Sequence, residues 1–175
     1  MVLCGMFAAL VAIGAFIQIP VPYMDYFTLQ FFFVLLAGLI LGADKGAISV
    51  GCYVLLGLVG VPIFAAGGGI GYIFRPSFGY LVGFIVSAYV TGKVCEKLKA
   101  SYKNYLLACL AGFVVTYAIG IVYKFIILNF YAHTPATLGV IFFSCFPVDM
   151  PGDFVLCLLA AGVGLRMRKS GFYLS

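Results

Sequence analysis

A chain of 175 residues that is 65% hydrophobic and only 9% charged is not built for water, because a soluble domain carries charge on about a quarter of its residues. The length suits one domain of about six helices, each needing roughly 20 apolar residues to cross about 30 Å of hydrocarbon, and it leaves no polar stretch for a soluble catalytic domain. The net charge of +5 raises nucleic acid as a partner, but the placement of the charges gives it another meaning.

Taken in chain order, the apolar runs predict a single integral membrane domain over 1–175, an all-α bundle with spans at about 2–17, 28–43, 46–61, 78–95, 105–130 and 153–168. The first run is read as a span rather than a leader. It has no charged stretch before it, and Pro20 and Pro22 follow it instead of a small-residue cleavage site. Those prolines end it, because proline cannot continue the hydrogen-bond ladder. Asp44 and Lys45 are expected to form the turn between the second and third spans, and Pro62 closes the third. A glycine-rich stretch at 65–71 leads through Tyr72 and Arg75-Pro76 to the fourth span. A basic loop at 97–103 precedes the long fifth span. The stretch 132–152, with Pro135, Pro147 and Pro151, is expected to be broken, and the last span then starts at Asp153 and ends on Arg166, Arg168 and Lys169.

With six spans, Lys45, Lys93, Lys97, Lys99, Lys103, Arg166, Arg168 and Lys169 share one side with both termini. The positive-inside rule makes that side cytoplasmic. Topology and anionic lipid headgroups therefore account for the basic loops, and nucleic acid is excluded as a partner. The six cysteines form no Cys-x-x-Cys pair and sit mostly in apolar runs, as small packing residues do.

The other side holds Asp25, Arg75, His133, Asp149 and Asp153, with Lys124 inside the fifth span. Irregular backbone at membrane depth persists only when buried in protein or lining a cavity. The glycines at 67–71, Gly71 among them, permit close backbone approach to a ligand. No phosphate-binding Gly-x-x-x-x-Gly-Lys-Ser/Thr pattern occurs. Lys124 lies about 9 Å from the outer end of its helix. It either snorkels outward or serves as a pocket cation paired with a carboxylate, and an ionisable group inside a span points to the second role. Asp153 is expected to cap the last helix and can also meet a ligand. Asp25, Asp149 and His133 are expected as solvated loop residues. One histidine makes no zinc site, and no acid, base and nucleophile grouping is evident, so neither a metal, a cofactor nor a catalytic residue is expected. Small-residue pairs Ala8/Ala12, Gly38/Gly42 and Gly79/Gly83 mark faces for close helix packing, and the first of these pairs can also face a partner subunit.

Several runs together resemble the BioY family, the biotin-binding S components of energy-coupling-factor transporters. They are Gly-Ala-Phe-Ile-Gln-Ile-Pro-Val-Pro at 14–22, Phe-Thr-Leu-Gln at 27–30, and Val-Leu-Leu-Ala-Gly at 34–38. Tyr-Val-Leu-Leu-Gly-Leu-Val-Gly-Val-Pro-Ile-Phe-Ala at 53–65, Arg-Pro-Ser-Phe-Gly-Tyr at 75–80, Phe146-Pro147 and Pro-Gly-Asp at 151–153 complete the set. The resemblance implies a six-helix S component in the plasma membrane of a prokaryote, capturing biotin from outside. It also implies a transmembrane coupling subunit, met by Ala8 and Ala12, and two cytoplasmic ATPases that supply the energy. Two departures matter. The family usually has Asp-x-x-Lys where this chain has Asp153 and Leu156, and Gly-Pro-Thr-Gly-Gly-Tyr where this chain has Arg75-Pro76-Ser77-Phe78-Gly79-Tyr80.

The expected site therefore has Asp153 accepting from the ureido N–H groups, Arg75 or Lys124 standing in for the missing lysine, and Lys124 neutralising Asp153. Tyr72, Tyr80, Phe64 and Phe31 are expected as walls, with Gln30 as a polar contact. The rivals are an S component for another small vitamin, a stand-alone facilitator and, from a different class, a small membrane enzyme.

Overall fold

The computed structural model describes residues 2–19, 27–132, 136–145 and 149–171. Asp25, His133, Pro20, Pro22, Pro135 and Phe146-Pro147, all used above, lie outside them. Seven α-helices occur among the described residues: α1 Val2–Phe16, α2 Gln30–Leu41, α3 Ala43–Val59, α4 Phe78–Lys97, α5 Tyr102–Ile126, α6 Leu138–Cys145 and α7 Asp149–Lys169. Two short strands, β1 Gln18–Ile19 and β2 Phe27–Thr28, pair antiparallel between α1 and α2. By length and apolarity, α4, α7 and α5 with its extension to Tyr131 can each cross a membrane, while α1 and α2 are shorter apolar helices.

Helix α2 is the centre. Every residue from Val34 to Leu41 is buried, the pattern of a helix surrounded by others, and its neighbours are α1, α3, α4 and α7. Only Gly42 separates it from α3. Its φ of 81° lies in the left-handed region that glycine enters without steric cost, so one residue reverses the chain. Asp44 and Lys45 are consequently not a turn but the first turn of α3. Asp44 there complements the positive end of the helix dipole.

Close approach sets the rest of the packing. Gly38 faces Ala88, Thr91 and Gly92 of α4, while Gly79 and Gly83 face Tyr123 and Thr116 of α5. These small-residue faces pack helix on helix within the bundle. Ala8 is 7% exposed and belongs to the core, and Ala12 packs partly against it, so that face of α1 also lies toward the interior. Cys95, Cys109 and Cys157 are buried and free. At the end of the bundle where α4 stops, a Glu96 carboxylate oxygen accepts from the Ala43 N–H at 2.9 Å and caps α3 across the helix gap. Glu96→Ala is expected to lower stability by about 1 kcal/mol, the usual worth of such a cap, read as a lower unfolding midpoint in detergent.

Two expectations about the C-terminal third are corrected. The stretch read as broken contains α6, and α7 starts at Asp149 rather than Asp153. Pro151 falls in the first turn of α7, where its missing N–H would have had no partner in any case. Asp153 thus sits in the second turn, beyond the cap position. Between α5 and α6, five residues, Ile127–Tyr131, form a π turn. Asn129 in it donates to the carbonyls of Phe125 and Ala136, and its Oδ1 accepts from the Ala136 N–H at 3.2 Å, so one side chain ties the connection back to the helix.

Candidate functional site

The N-terminal ends of α2, α4 and α7 meet the C-terminal end of α5 around a cavity of about 820 Å3, its open mouth included. The dipoles of three helices starting here give this end of the bundle a positive backbone field. The opposite end holds the basic last turns of α4 and α7.

One wall comes from α2 and the strand before it, with Phe27, Thr28, Gln30 and Phe31. Phe31 stacks on Phe84 of α4 at 5.9 Å between ring centres. Gln30 is 4% exposed and held from two sides. Thr28 Oγ1 donates to its Oε1 at 3.1 Å, and its Nε2 donates to the Tyr53 hydroxyl at 2.6 Å. Tyr53 in turn donates to the Ile63 carbonyl at 3.0 Å. A second wall comes from the segment after α3 and the start of α4: Ala65, Ala66, Tyr72, Ser77, Tyr80 and Leu81. The third comes from α5 and α7, with Tyr117, Lys124, Asp149 and Asp153.

Asp153 has a defined partner. The Tyr117 hydroxyl donates to its Oδ2 at 2.8 Å, and Tyr117 is in edge contact with Tyr80 at 5.8 Å. A carboxylate at this depth is held by a hydroxyl, and its second oxygen has capacity left for a ligand N–H. Lys124 forms no ion pair with it. Among the described residues the salt bridge within 4.0 Å joins Lys93 and Glu96. The expectation that Lys124 neutralises Asp153 is therefore corrected: the short contact to Tyr117 serves that carboxylate, and the ammonium shares the cavity wall without closing on it.

Of the residues named from the sequence, Gln30, Phe31, Tyr72, Tyr80, Lys124 and Asp153 line one cavity. Phe64, Gly71 and Arg75 do not. Phe64 is 1% exposed and backs the wall, 4.6 Å from the Tyr72 ring, seated against Gly57. Gly71 lies in the short 3-10 turn Ile70–Phe74 and is exposed. Arg75 is exposed, with its guanidinium 5.2 Å from the centre of the Tyr72 ring, so it reaches the site through that ring's outer face. Leu156, at the family's lysine position, is 5% exposed and packed in the core.

Among the wall residues not expected there from the sequence are Tyr117, Thr28 and Asp149, the last expected as a solvated loop residue and found instead in α7 on the cavity wall. Tyr117 lies seven residues, two helical turns, before Lys124 and so on the same face of α5. That spacing was available as a signal. Asp149 lies four residues before Asp153 on α7, a relation hidden by starting that helix at Asp153. Thr28 was recognised only as part of a motif. The arrangement offers aromatic surfaces, a carboxylate held by a hydroxyl, a second carboxylate at Asp149, a fixed amide and one ammonium. Such a set suits a ligand with an apolar body, an amide-like group and an anionic end.

Comparison with known proteins gives one consistent result. The model of the BioY family matches residues 1–171. A probable biotin transporter BioY from Lysinibacillus sphaericus is 38% identical over 170 residues, covering 97% of this chain and 86% of that protein. The biotin transporter BioY of Thermotoga maritima is 40% identical over 169 residues, covering 94% and 93%. Among solved structures, the S-component for biotin from an ECF-type ABC transporter superposes with a TM-score of 0.84 at 26% identity, over 96% of this chain and 89% of that one.

Proposed function

The chain belongs to the BioY family, and from that premise we propose that it is the substrate-capturing component of an energy-coupling-factor importer, binding biotin in the cavity at the α2–α4–α7 end. It is a transport subunit of the membrane and not an enzyme. The observation that carries this reading is the composition of that cavity, where Asp153 with Tyr117, Gln30 and Lys124 face one space between aromatic walls. Biotin asks for acceptors for its ureido N–H groups, apolar surface for its fused rings and chain, and a cation for its carboxylate. Asp153 and Gln30 supply the first, Phe31, Tyr72, Tyr80 and Phe84 the second, and Lys124 the third.

The lysine usually found three residues after the aspartate is replaced by Leu156. Lys124 assumes its role toward the ligand, and Tyr117 its role toward the aspartate. Arg75 lies behind Tyr72 and adds positive field at the rim. Radiolabelled biotin binding to the purified protein tests this. Lys124→Ala is expected to weaken binding by about 30-fold, the worth of one charge-assisted hydrogen bond, and Arg75→Ala by only a few-fold, because its exposed charge is screened. Biotin methyl ester, which lacks the carboxylate, is expected to bind wild type and Lys124→Ala alike. If both variants hold biotin as tightly as wild type, the replacement idea is wrong.

The six spans are proposed to be α1 to α5 and α7, with α6, about 12 Å long for its 8 residues, too short to cross. The basic ends of α4 and α7 then face the cytoplasm, and the cavity opens on the other side. A coupling subunit and two ATPases are the proposed partners that drive the inward step.

A further inference from the structure

Which end of the Gln30 amide meets a ligand is decided by its neighbours, because the carbonyl and NH2 ends of a primary amide are close in shape and opposite in hydrogen-bonding character. The chain of contacts behind it leaves one solution. The Ile63 carbonyl can only accept, and the Tyr53 hydroxyl lies 3.0 Å from it. That hydroxyl has one proton, committed to Ile63, so it can only accept from Gln30. The atom of Gln30 at 2.6 Å from it must therefore be the nitrogen. The oxygen is turned to Thr28, 3.1 Å away, and Thr28 is itself on the cavity wall. Tyr53 is 0% exposed and does not line the cavity. Its ring is fixed by Phe64 in edge contact at 5.6 Å, and Phe64 is seated over Gly57.

We propose that Tyr53 is a specificity-determining positioning residue: by accepting from the Gln30 amide nitrogen while donating to the Ile63 carbonyl, it turns the Gln30 oxygen toward the ligand. The site then presents two acceptors, this oxygen and Asp153, to the two N–H groups of a cyclic urea. A ligand offering a carbonyl or carboxylate at that end meets oxygen against oxygen and is refused. Without the Tyr53 hydroxyl the amide is free to flip, and the site loses its preference for a donor. The proposal rests on the assignment of biotin to this cavity.

The test is a double-mutant cycle on the purified full chain, with labelled biotin as probe. Tyr53→Phe keeps the ring that packs on Phe64 and removes only the hydroxyl. It is expected to weaken biotin about tenfold, as for one lost hydrogen bond, and Gln30→Ala by a similar factor, while the double variant binds no worse than Gln30→Ala. Losses that multiply, or no loss on Tyr53→Phe, overturn the proposal, since a merely structural tyrosine would act independently of Gln30. A ligand-free readout runs beside it. In 15N-labelled protein the Gln30 side-chain NH2 is expected to be protected from exchange, and Tyr53→Phe to lose that protection. An unprotected amide in wild type, or equal protection in both, overturns the proposal even if the wild type binds no biotin. Failure of wild type to bind biotin refutes the assigned ligand instead.

Discussion

Asp153→Ala is expected to weaken biotin binding by about 100-fold or more. The ligand loses a charged acceptor, worth about 1.5–3 kcal/mol, and the Tyr117 hydroxyl loses its partner inside a cavity where an unpaired donor adds a further about 1–3 kcal/mol. Asp153→Asn is the informative companion. It keeps the shape and one acceptor oxygen but adds an NH2 where the ligand also donates, so a loss of about tenfold is expected. Tyr117→Phe should fall between the two variants, because Asp153 remains but swings free of its 2.8 Å partner. None of the three should lower the unfolding midpoint of the ligand-free protein much, since a half-buried carboxylate is costly to keep in place. Equilibrium binding of labelled biotin, with thermal unfolding in detergent beside it, separates the effects. Asp153→Ala protein that binds biotin as wild type does would remove Asp153 from the site.

The largest effect on stability is expected at Gly92. A methyl group there would overlap backbone atoms of Gly42 and Ala43, at the joint where α2 turns into α3. Backbone cannot step aside as the tip of a flexible side chain can, so Gly92→Ala forces α4 away from α2. Overpacking of this kind costs about 3 kcal/mol, or roughly 10 °C in the unfolding midpoint. Because α2 and α4 carry Gln30, Phe31, Tyr80 and Phe84 on the cavity walls, affinity should fall with stability. Gly5→Ala is the control. A methyl at Gly5 of α1 meets nothing within 4 Å, and alanine favours helix, so the midpoint should hold or rise slightly. Equal midpoints for the two variants would show that the close approach of α4 to the α2–α3 joint does not limit stability.

Much of this molecule was legible in advance because lipid imposes simple rules. Apolar runs had to be helices, and the glycine pairs at Gly38/Gly42 and Gly79/Gly83 had to mark close approach. Asp153, Lys124 and Gln30 stood out as polar groups in apolar surroundings, and they line one cavity. What was missed has physical reasons as well. Pro151 was weighed as a breaker, although in a first turn it breaks nothing, and that error concealed both the start of α7 and the placing of Asp149 beside Asp153. Tyr117 was passed over because a lone aromatic residue in a membrane helix draws no attention, and only its seven-residue spacing from Lys124 marks the face it shares. Phe64 was expected on the wall and lies behind it, a distinction of one side-chain layer that linear sequence does not encode. Lys124 was paired with Asp153 on charge alone, whereas a tyrosine on the same helix face reaches the carboxylate first.

The brevity of α2 bears on how membrane voltage enters transport. Its 12 residues span about 18 Å, against about 30 Å of hydrocarbon, and the cavity occupies the depth above its first turn. With that cavity open to the outside as proposed, water carries the external potential down to the level of Gln30. Most of the transmembrane field then falls across the lower bundle. A biotin anion that has reached Lys124 has crossed little of that field, so capture should be nearly insensitive to voltage. The inward step, in contrast, moves its charge through almost the whole drop, about 2.3 kcal/mol per 100 mV, and under the proposed function that electrical work would fall to the proposed partner subunits.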